Sequence, residues 1–447
     1  MAPKYSAPSG TRDFLPDALA LRYHVIDIIK KVYTLHGYQP LETPAFENLN
    51  VLTGKYGDEG DKLIFRLLHR GEKLQRTLEK GNLTQGDLAE TGLRYDLTVP
   101  LARVYSANRE VLTGTFKRFQ IQPVWRADRP AKGRFREFYQ CDVDIIGSGQ
   151  ILAEMDIFCA VTEIMNEIGI EKFWLSVNDR RILRGMLAGL EIPENLHNQV
   201  LTILDKLDKM PPEAIRDELV KMGISEKAVV TLSDLILKVE TSCASDLIDY
   251  VRSFSHRDYA GGIEDMEKIL HWSKGLGIDE NIKFSPVLAR GLDYYTGPIY
   301  ELKIDGYSSS FGGGGRYDGL IGIFSGENIP AVGFSFGLER IIDFLTDRGM
   351  HKVSSVPAVT LGILDEKYFE FGYSILTALR SNQIAADLFP EFAKPAKILK
   401  WANRKQIPFV LLIGEEEFVN RKISFKNLNT GEQLSISLPE LLTKFQK

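Results

Sequence analysis

Residues 119–145 read FQIQPVWRADRPAKGRFREFYQCDVDI. Read as two strands around a connection, they decide what the rest of the chain can build. Along 134–145, Tyr139, Cys141, Val143 and Ile145 fall on one side and Arg136, Phe138, Gln140, Asp142 and Asp144 on the other. That is the period of a strand with one face in a core. A solvated face would mix in Lys, Ser and Glu, whereas this one interleaves acceptors, an aromatic plate and a cation, a set suited to a small cationic, nitrogen-rich ligand. Between the two strands, Arg126, Arg129, Lys132 and Arg134 crowd a connection that contains Pro130 and Gly133. Like charges this dense repel unless an anion joins them. The connection therefore reads either as a solvated basic loop or as a phosphate grip, for which the guanidinium fork is suited.

Working outward, GLRYDLTVP (92–100) alternates in the same way. As a strand it places Tyr95, Leu97 and Val99 on one face and Arg94, Asp96 and Thr98 on the other, which also describes an ordinary half-exposed strand. SPVLARGLDYYTGPIYEL (285–302) holds Arg290, Asp293, Tyr294 and Tyr295 between short apolar runs, with Gly291 and Thr296-Gly297-Pro298 breaking any regular pattern. SSSFGGGGRYDGL (308–320) is not a P-loop, because no Gly-Lys-Ser/Thr follows and the G-x-G-x-x-G spacing is missing. Its glycines suggest close backbone approach to a ligand, or unusual dihedrals. PAVGFSFGLERII (330–342) reads as a strand broken by Gly333 and Gly337 that runs into a helix from Leu338 to about Thr346. Arg340 falls in that helix's first turn, where the dipole disfavours a cation; it is there as a buried or ligand-paired group, or as a surface salt bridge.

The remaining chain sorts by period. Leu21, Val25, Ile28, Val32 and Leu35 recur at helical steps over 17–36, with Asp17 as a cap and Gly37 as the stop. YQPLETPAFE is extended, because Pro40 and Pro44 forbid a helix. From about 151 the pattern is helical again, and 182–280 is rich in Leu, Ile, Lys, Glu and Asp at helical spacing, an insertion. Strand and turn signals resume at 284–336. DRGMHKVSSVP reads as a linker. After it AVTLGIL, helices near 368–380 and 394–405, PFVLLIG and a closing hairpin alternate as a small α/β domain. A chain of 447 residues is long enough for two or three domains. Cys141, Cys159 and Cys243 form no C-x-x-C pair, which argues against a disulfide framework or zinc site and fits a reducing compartment. The opening MAPKYSAPSGTRDFLP lacks the apolar core of a secretory signal, and no apolar run approaches the roughly 20 residues of a membrane span. A cytoplasmic protein without a membrane is expected. The net charge of −5 neither announces nor excludes a nucleic-acid partner.

These stretches resemble the signature motifs of class II aminoacyl-tRNA synthetases. The opening helix with ETPAFE is similar to the first, 119–145 to the second and AVGFSFGLERII to the third. LRYDLTVP, ARGLDYYTG and GGGRYDGL together resemble the histidyl-tRNA synthetase family across essentially the whole chain. The resemblance implies an α/β (α+β) fold: an antiparallel-sheet catalytic domain (1–181 and 281–347) with a helical insertion (182–280), followed by a small anticodon-binding domain (356–447). It implies ATP-dependent activation of L-histidine and transfer to the 3′ end of tRNA(His), in a homodimer through the first motif. Asp96, Thr98 and Gln140 match positions that bind the α-amino group of histidine, with Leu97 between the first two. Asp144 and Tyr295 match those that hold the imidazole nitrogens, and Tyr294 and Tyr317 line the pocket. Arg126 matches the arginine on the α-phosphate of ATP, and Phe138 and Arg340 sandwich the adenine. Arg134 and Arg136 reach the terminal phosphates or the tRNA acceptor end. Arg290 matches the catalytic arginine beside the α-phosphate, and Mg2+ would ride on the β- and γ-phosphates, with no protein metal site assigned. The family's second motif often reads Arg-x-Glu; here Ala127 and Asp128 follow Arg126, so Asp128 stands for the usual acidic group one methylene shorter and keeps the acceptor for the adenine amine or a neighbouring arginine.

Two rivals share parts of this pattern. A regulatory, non-catalytic paralogue that senses histidine for ATP phosphoribosyltransferase would keep the histidine pocket but typically lose the ATP arginines and the C-terminal domain. A class II synthetase for glycine, proline or threonine would not carry ARGLDYYTG. Lys394, Lys397, Lys400 and Arg404 recur at helical steps in the last domain, reading equally as a phosphate-contacting stripe or as a solvated helix face.

Overall fold

The computed structural model describes residues 5–54, 61–81, 83–84, 86–131, 133–204, 211–289, 294–350 and 354–445. Two compact units result, residues 1–13 with 22–351 and residues 14–21 with 352–447. In the first unit the strands are β1 (Gln39–Pro40), β2 (Phe46–Asn48), β3 (Arg66–Leu68), β4 (Ala89–Leu93), β5 (Phe116–Trp125), β6 (Glu137–Ile146), β7 (Phe173–Asp179), β8 (Ile282–Phe284), β9 (Pro298–Ile304), β10 (Gly312–Arg316) and β11 (Ala331–Gly337). Eight of them form one sheet in the order β1-β5-β6-β11-β10-β9-β7-β8, and β2-β4-β3 form a small second sheet. The large sheet is antiparallel from β5 to β7, with a parallel pair at each edge. Pro40 is tolerated because β1 is an edge strand.

Register makes this sheet two-faced. Asp144 lies opposite Arg118 on β5 and Gly333 on β11, Asp142 opposite Gln120 and Ser335, and Gln140 opposite Gln122 and Gly337. The other parity brings together Cys141, Val143, Val332, Phe334 and Leu302, all buried in the core. The alternation expected over 134–145 is what the strand carries, from Glu137 onward.

The helix Pro16–Leu35 forms and buries Leu21, Val25 and Val32 of the expected stripe, but its face also takes in residues the stripe did not include. Val25, Ile26, Ile29, Val32 and Tyr33 are buried together with Arg22, while Leu35 is exposed and Ile28 half-buried. A charged residue takes the place in the stripe because it finds a buried partner, Glu339.

The strand expected over 92–100 is corrected more sharply. β4 ends at Leu93, and a helix runs Thr98–Ala107. Asp96 acts as a cap, its Oδ1 accepting the Val99 N–H at 3.1 Å, and Pro100 sits in the first turn, where its missing donor does no harm. Arg94 therefore does not share a face with Asp96 and Thr98. It is buried, donating to the Pro123 and Thr43 carbonyls at 2.9 and 2.6 Å and to Gln122 Oε1 at 3.0 Å.

The glycine run is β10 itself, in the middle of the sheet, and none of its glycines has a positive φ. Close backbone approach, not unusual dihedrals, is the reason for them: a Cβ on Gly314 would lie 2.0 Å from the Gly333 carbonyl oxygen. A helix Asp318–Ser325 follows, where only strand and turn signals were read. Between β7 and β8 the described residues are mostly helical, including Arg180–Gly189, Glu226–Thr241 and Ala260–Gly275.

In the second unit β12 (Val359–Ile363), β13 (Ala386–Leu388), β14 (Phe409–Ile413), β15 (Ile423–Asn427) and β16 (Gln433–Ile436) make a sheet in the order β13-β12-β14-β15-β16. Helices Phe369–Ser381 and Pro395–Arg404 alternate with its parallel strands as expected. β13 and the short helices Glu415–Asn420 and Leu438–Phe445 had not been expected. Clusters around Leu361, Ile375, Leu411 and Phe425, and around Ile398, Val410 and Leu412, bury its two faces.

Candidate active site

The polar face of the large sheet floors a cleft of about 940 Å³. Asp96, Thr98, Arg126, Asp128, Arg134, Phe138, Gln140, Asp144, Tyr294, Tyr295, Tyr317 and Arg340 all line it. These side chains come from segments as far apart in sequence as Asp96 and Arg340, and the antiparallel register is what gathers most of them. Leu97 does not line the cleft; it is fully buried, and its carbonyl accepts from Arg118 at 3.4 Å. Arg136 does not line it either, because its Nε donates to the Asp128 carbonyl at 3.0 Å and its Nη1 to the Ser9 carbonyl at 3.3 Å. Arg290 lies outside the described residues, as does Lys132.

At the bottom of the cleft the acceptors are tightly organised. Asp144 Oδ1 accepts from the Tyr317 hydroxyl, and Oδ2 sits 2.7 Å from Arg118 Nη2. Gly333 is required opposite it, since a Cβ there would fall 2.0 Å from Asp144 Oδ1. Burial pushes the carboxyls of Asp142 and Asp144 up, and the Arg118 guanidinium pulls both back. Gln140 donates from Nε2 to Ser335 Oγ at 3.3 Å, while its Oε1 is buried without a hydrogen-bond partner among the described residues. A buried acceptor left in that state wants a donor from a ligand. Burial also raises the Tyr294 and Tyr317 phenols well above their ordinary value, so both stay O–H donors. The Tyr294 hydroxyl donates to that of Tyr295 at 3.3 Å.

The upper cleft is cationic and aromatic. Arg126 follows β5, its Nε donating to the Tyr95 carbonyl at 3.1 Å, and its guanidinium lies 4.2 Å from the Tyr95 ring centroid and 5.2 Å from that of Phe138. Asp128 accepts from Arg134 Nη2 at 2.7 Å, so this shorter acid is engaged with a neighbouring arginine. Arg340 donates to the Ser310 carbonyl. Next to it Glu339 is buried, accepting two bonds from Arg22 at 2.6 and 3.0 Å, one from Arg12 and one from the Tyr139 N–H at 3.2 Å. That knot ties the first turn of the helix Leu338–Arg348 to β6, where a carboxylate also suits the dipole.

Sequence reasoning passed over Arg118, Gln120, Ser335 and Glu339. Arg118 could have been found from the two-residue pitch of β5, which puts it, Gln120 and Gln122 on one face. Glu339 and Arg22 could not, because their pairing spans the chain.

Comparison with known proteins agrees along the full length. The family model for Histidyl-tRNA synthetase matches residues 10–341, and that for an anticodon binding domain matches 355–447. The histidine–tRNA ligase of Bacteroides fragilis strain YCH46 is 39% identical over 458 residues, covering 100% of each chain. That of Phocaeicola vulgatus is 38% identical over 453 residues, covering 99% of each. The crystal structure of histidyl-tRNA synthetase from Nostoc sp. PCC 7120 superposes with a TM-score of 0.84 at 28% identity, covering 99% of each chain. With an antiparallel sheet whose polar face gathers buried acceptors and guanidinium groups in one cleft, and a family match over both parts of the sequence, the chain belongs to the histidyl-tRNA synthetase family.

Proposed function

We propose that this ligase joins histidine to the α-phosphate of ATP in the cleft, expels pyrophosphate, and passes the histidyl group to the 3′-terminal ribose of tRNA(His). The observation that supports it most is that acceptors suited to histidine and cations suited to ATP line the same cleft. Asp96, Thr98 and Gln140 take the α-ammonium; Asp144 and Tyr295 take the two imidazole nitrogens. Buried acceptors of this kind reject an amino acid that cannot donate to them, because they would be left unpaired.

The chemical step brings a carboxylate onto a phosphate, two anions that repel. Arg126, and by the resemblance Arg290, neutralise that charge as it spreads over the phosphoryl oxygens, with no proton transfer of their own. Phe138 stacks on the adenine and Arg340 lies over its other side. Arg134 takes the terminal phosphates. Mg2+ fits as a passenger on the nucleotide. Among the described residues no group of three or more His, Cys, Asp or Glu converges as a metal cage, and this ion needs only one or two carboxylates beside phosphate oxygens. Held on the β- and γ-phosphates, as the resemblance implies, the ion would neutralise the departing pyrophosphate.

Residues 182–280 are proposed as the insertion and 356–447 as the anticodon-binding domain. A homodimer and a cytoplasmic location complete the reading; no helix among the described residues is long and apolar enough to cross a membrane. Against the regulatory alternative stand Arg126 and Arg340 in the cleft and the matched C-terminal domain.

Histidine-dependent exchange of pyrophosphate into ATP tests the activity, followed by charging of tRNA(His). Exchange with histidine and none with glycine, proline or threonine is expected; its absence with histidine overturns the proposal. A second measurement addresses the last domain. Lys394, Lys397, Lys400 and Arg404 are exposed on or beside the helix Pro395–Arg404. Exchanging all four for Gln should raise the KM for tRNA by about tenfold or more, through lost phosphate contacts, and leave pyrophosphate exchange unchanged. Equal damage to both would contradict the assignment.

A further inference from the structure

Arg118 has no part in the roles above, yet it is fully buried beneath the cleft. A guanidinium taken out of water needs a charge partner to offset the hydration it has lost. Its Nη2 lies 2.7 Å from Asp144 Oδ2, 3.8 Å from Asp142 Oδ2 and 3.4 Å from the Leu97 carbonyl, and its Nη1 donates to Gln120 Oε1 at 3.2 Å. One side chain thus links the Asp144 carboxylate to the Asp96–Thr98 junction.

We propose that Arg118 is a positioning residue for specificity: it aims the Asp144 carboxylate and keeps it an acceptor, and so makes the pocket demand a ring N–H. This rests on the reading that Asp144 meets the imidazole. The Tyr317 hydroxyl donates to Oδ1, and Arg118 Nη2 faces Oδ2 at 2.7 Å as an ion pair without the geometry of a hydrogen bond, so lone pairs on both oxygens remain for a ligand. The groups that face Asp144 are Arg118 from β5, Asp142 on its own strand, Asp96 from the junction, and the phenols Tyr317, Tyr33 and Tyr300. Burial disfavours the charge on Asp144 most and the other carboxyls add to it; the guanidinium opposes them first, and the Tyr317 hydroxyl bond second. Without the guanidinium, burial and the neighbouring carboxyls favour the protonated form, which turns one acceptor site into an O–H and loses the aim that the ion pair gives Oδ2.

The test is pyrophosphate exchange by the full-length enzyme carrying R118M, D144N or both, from pH 7 to 9. R118M should raise the histidine KM about 30-fold at pH 7, with the ATP KM within about twofold, as for loss of a buried charge partner next to one substrate. Because the carboxyl of R118M then titrates higher, the ratio of its KM to that of the unsubstituted enzyme should shrink as pH rises. D144N should add little to R118M if both act through one carboxylate. R118K keeps the charge and should stay within about fivefold of the parent, which also serves if R118M does not fold. A pH-independent ratio, additive effects of R118M and D144N, or R118K as damaging as R118M would each overturn the proposal. Failure of the unsubstituted chain to exchange with histidine would instead overturn the synthetase reading on which it rests.

Discussion

Replacing Arg126 by alanine is expected to lower histidine-dependent pyrophosphate exchange by about 10²- to 10³-fold in kcat/KM for ATP, the usual effect of removing a preorganised charge partner from a transition state. The expectation comes from how this side chain is held. Its Nε is tied to the Tyr95 carbonyl at 3.1 Å and its plane is packed by Tyr95 and Phe138. Little reorganisation remains when a phosphate arrives, and the terminal N–H groups carry the fork that matches two phosphate oxygens. Lysine at this position keeps the charge but loses the Nε tether and the planar fork, so R126K should recover only part of the loss. The thermal midpoint of R126A should stay within a few degrees of the parent, since the residue only half-leaves water. Arg290→Ala, a change in the segment that resemblance identifies as catalytic, should produce a loss of the same order. Exchange that survives R126A at more than about a tenth of the parent rate would remove Arg126 from the chemistry.

How far the sequence carried this reading depended on the range of the interaction involved. Period-two alternation is local, and it placed Gln140, Asp142 and Asp144 on the face that lines the cleft. The junction at 94–98 shows where the same rule fails: Leu97 and Val99 extended the alternation, but the Asp96 cap and Pro100 belong to a helix start, and the alternation was incidental. Both readings bring Asp96 and Thr98 to the cleft; only the structure separates Arg94 from them. The opening helix misled in another way. Counting apolar residues selected Leu35 and passed over Arg22, whose burial depends on Glu339 some three hundred residues later. Arg118 combines the two cases, on a legible strand face but with its charge partner on a different strand. Ion pairs across the chain are invisible to any local pattern, and in this fold they hold the site together.

The largest stability effect should come from one of those pairs. Glu154, in the helix Leu152–Glu167, is completely buried, and Arg316 at the end of β10 nearly so. Nε and Nη2 of the arginine meet the two carboxylate oxygens at 2.7 Å each, and Nη1 donates to the Ser148 carbonyl at 2.9 Å and lies 3.3 Å from Asp318 Oδ1. Glu154→Gln leaves the guanidinium buried against an amide and should destabilise the catalytic unit by about 3–5 kcal/mol in urea unfolding. Converting both partners, E154L with R316M, should cost less than either single change, because no charge is then left unpaired in the interior. Function should follow in a specific order. Glu154 fixes Arg316, the residue before Tyr317, whose hydroxyl serves Asp144, so E154Q should raise the histidine KM more than the ATP KM at temperatures where the protein remains folded. If the double variant proves less stable than both singles, the pair contributes net stability beyond its own desolvation; if E154Q raises the two KM values equally, the pair does not act on the pocket through Tyr317.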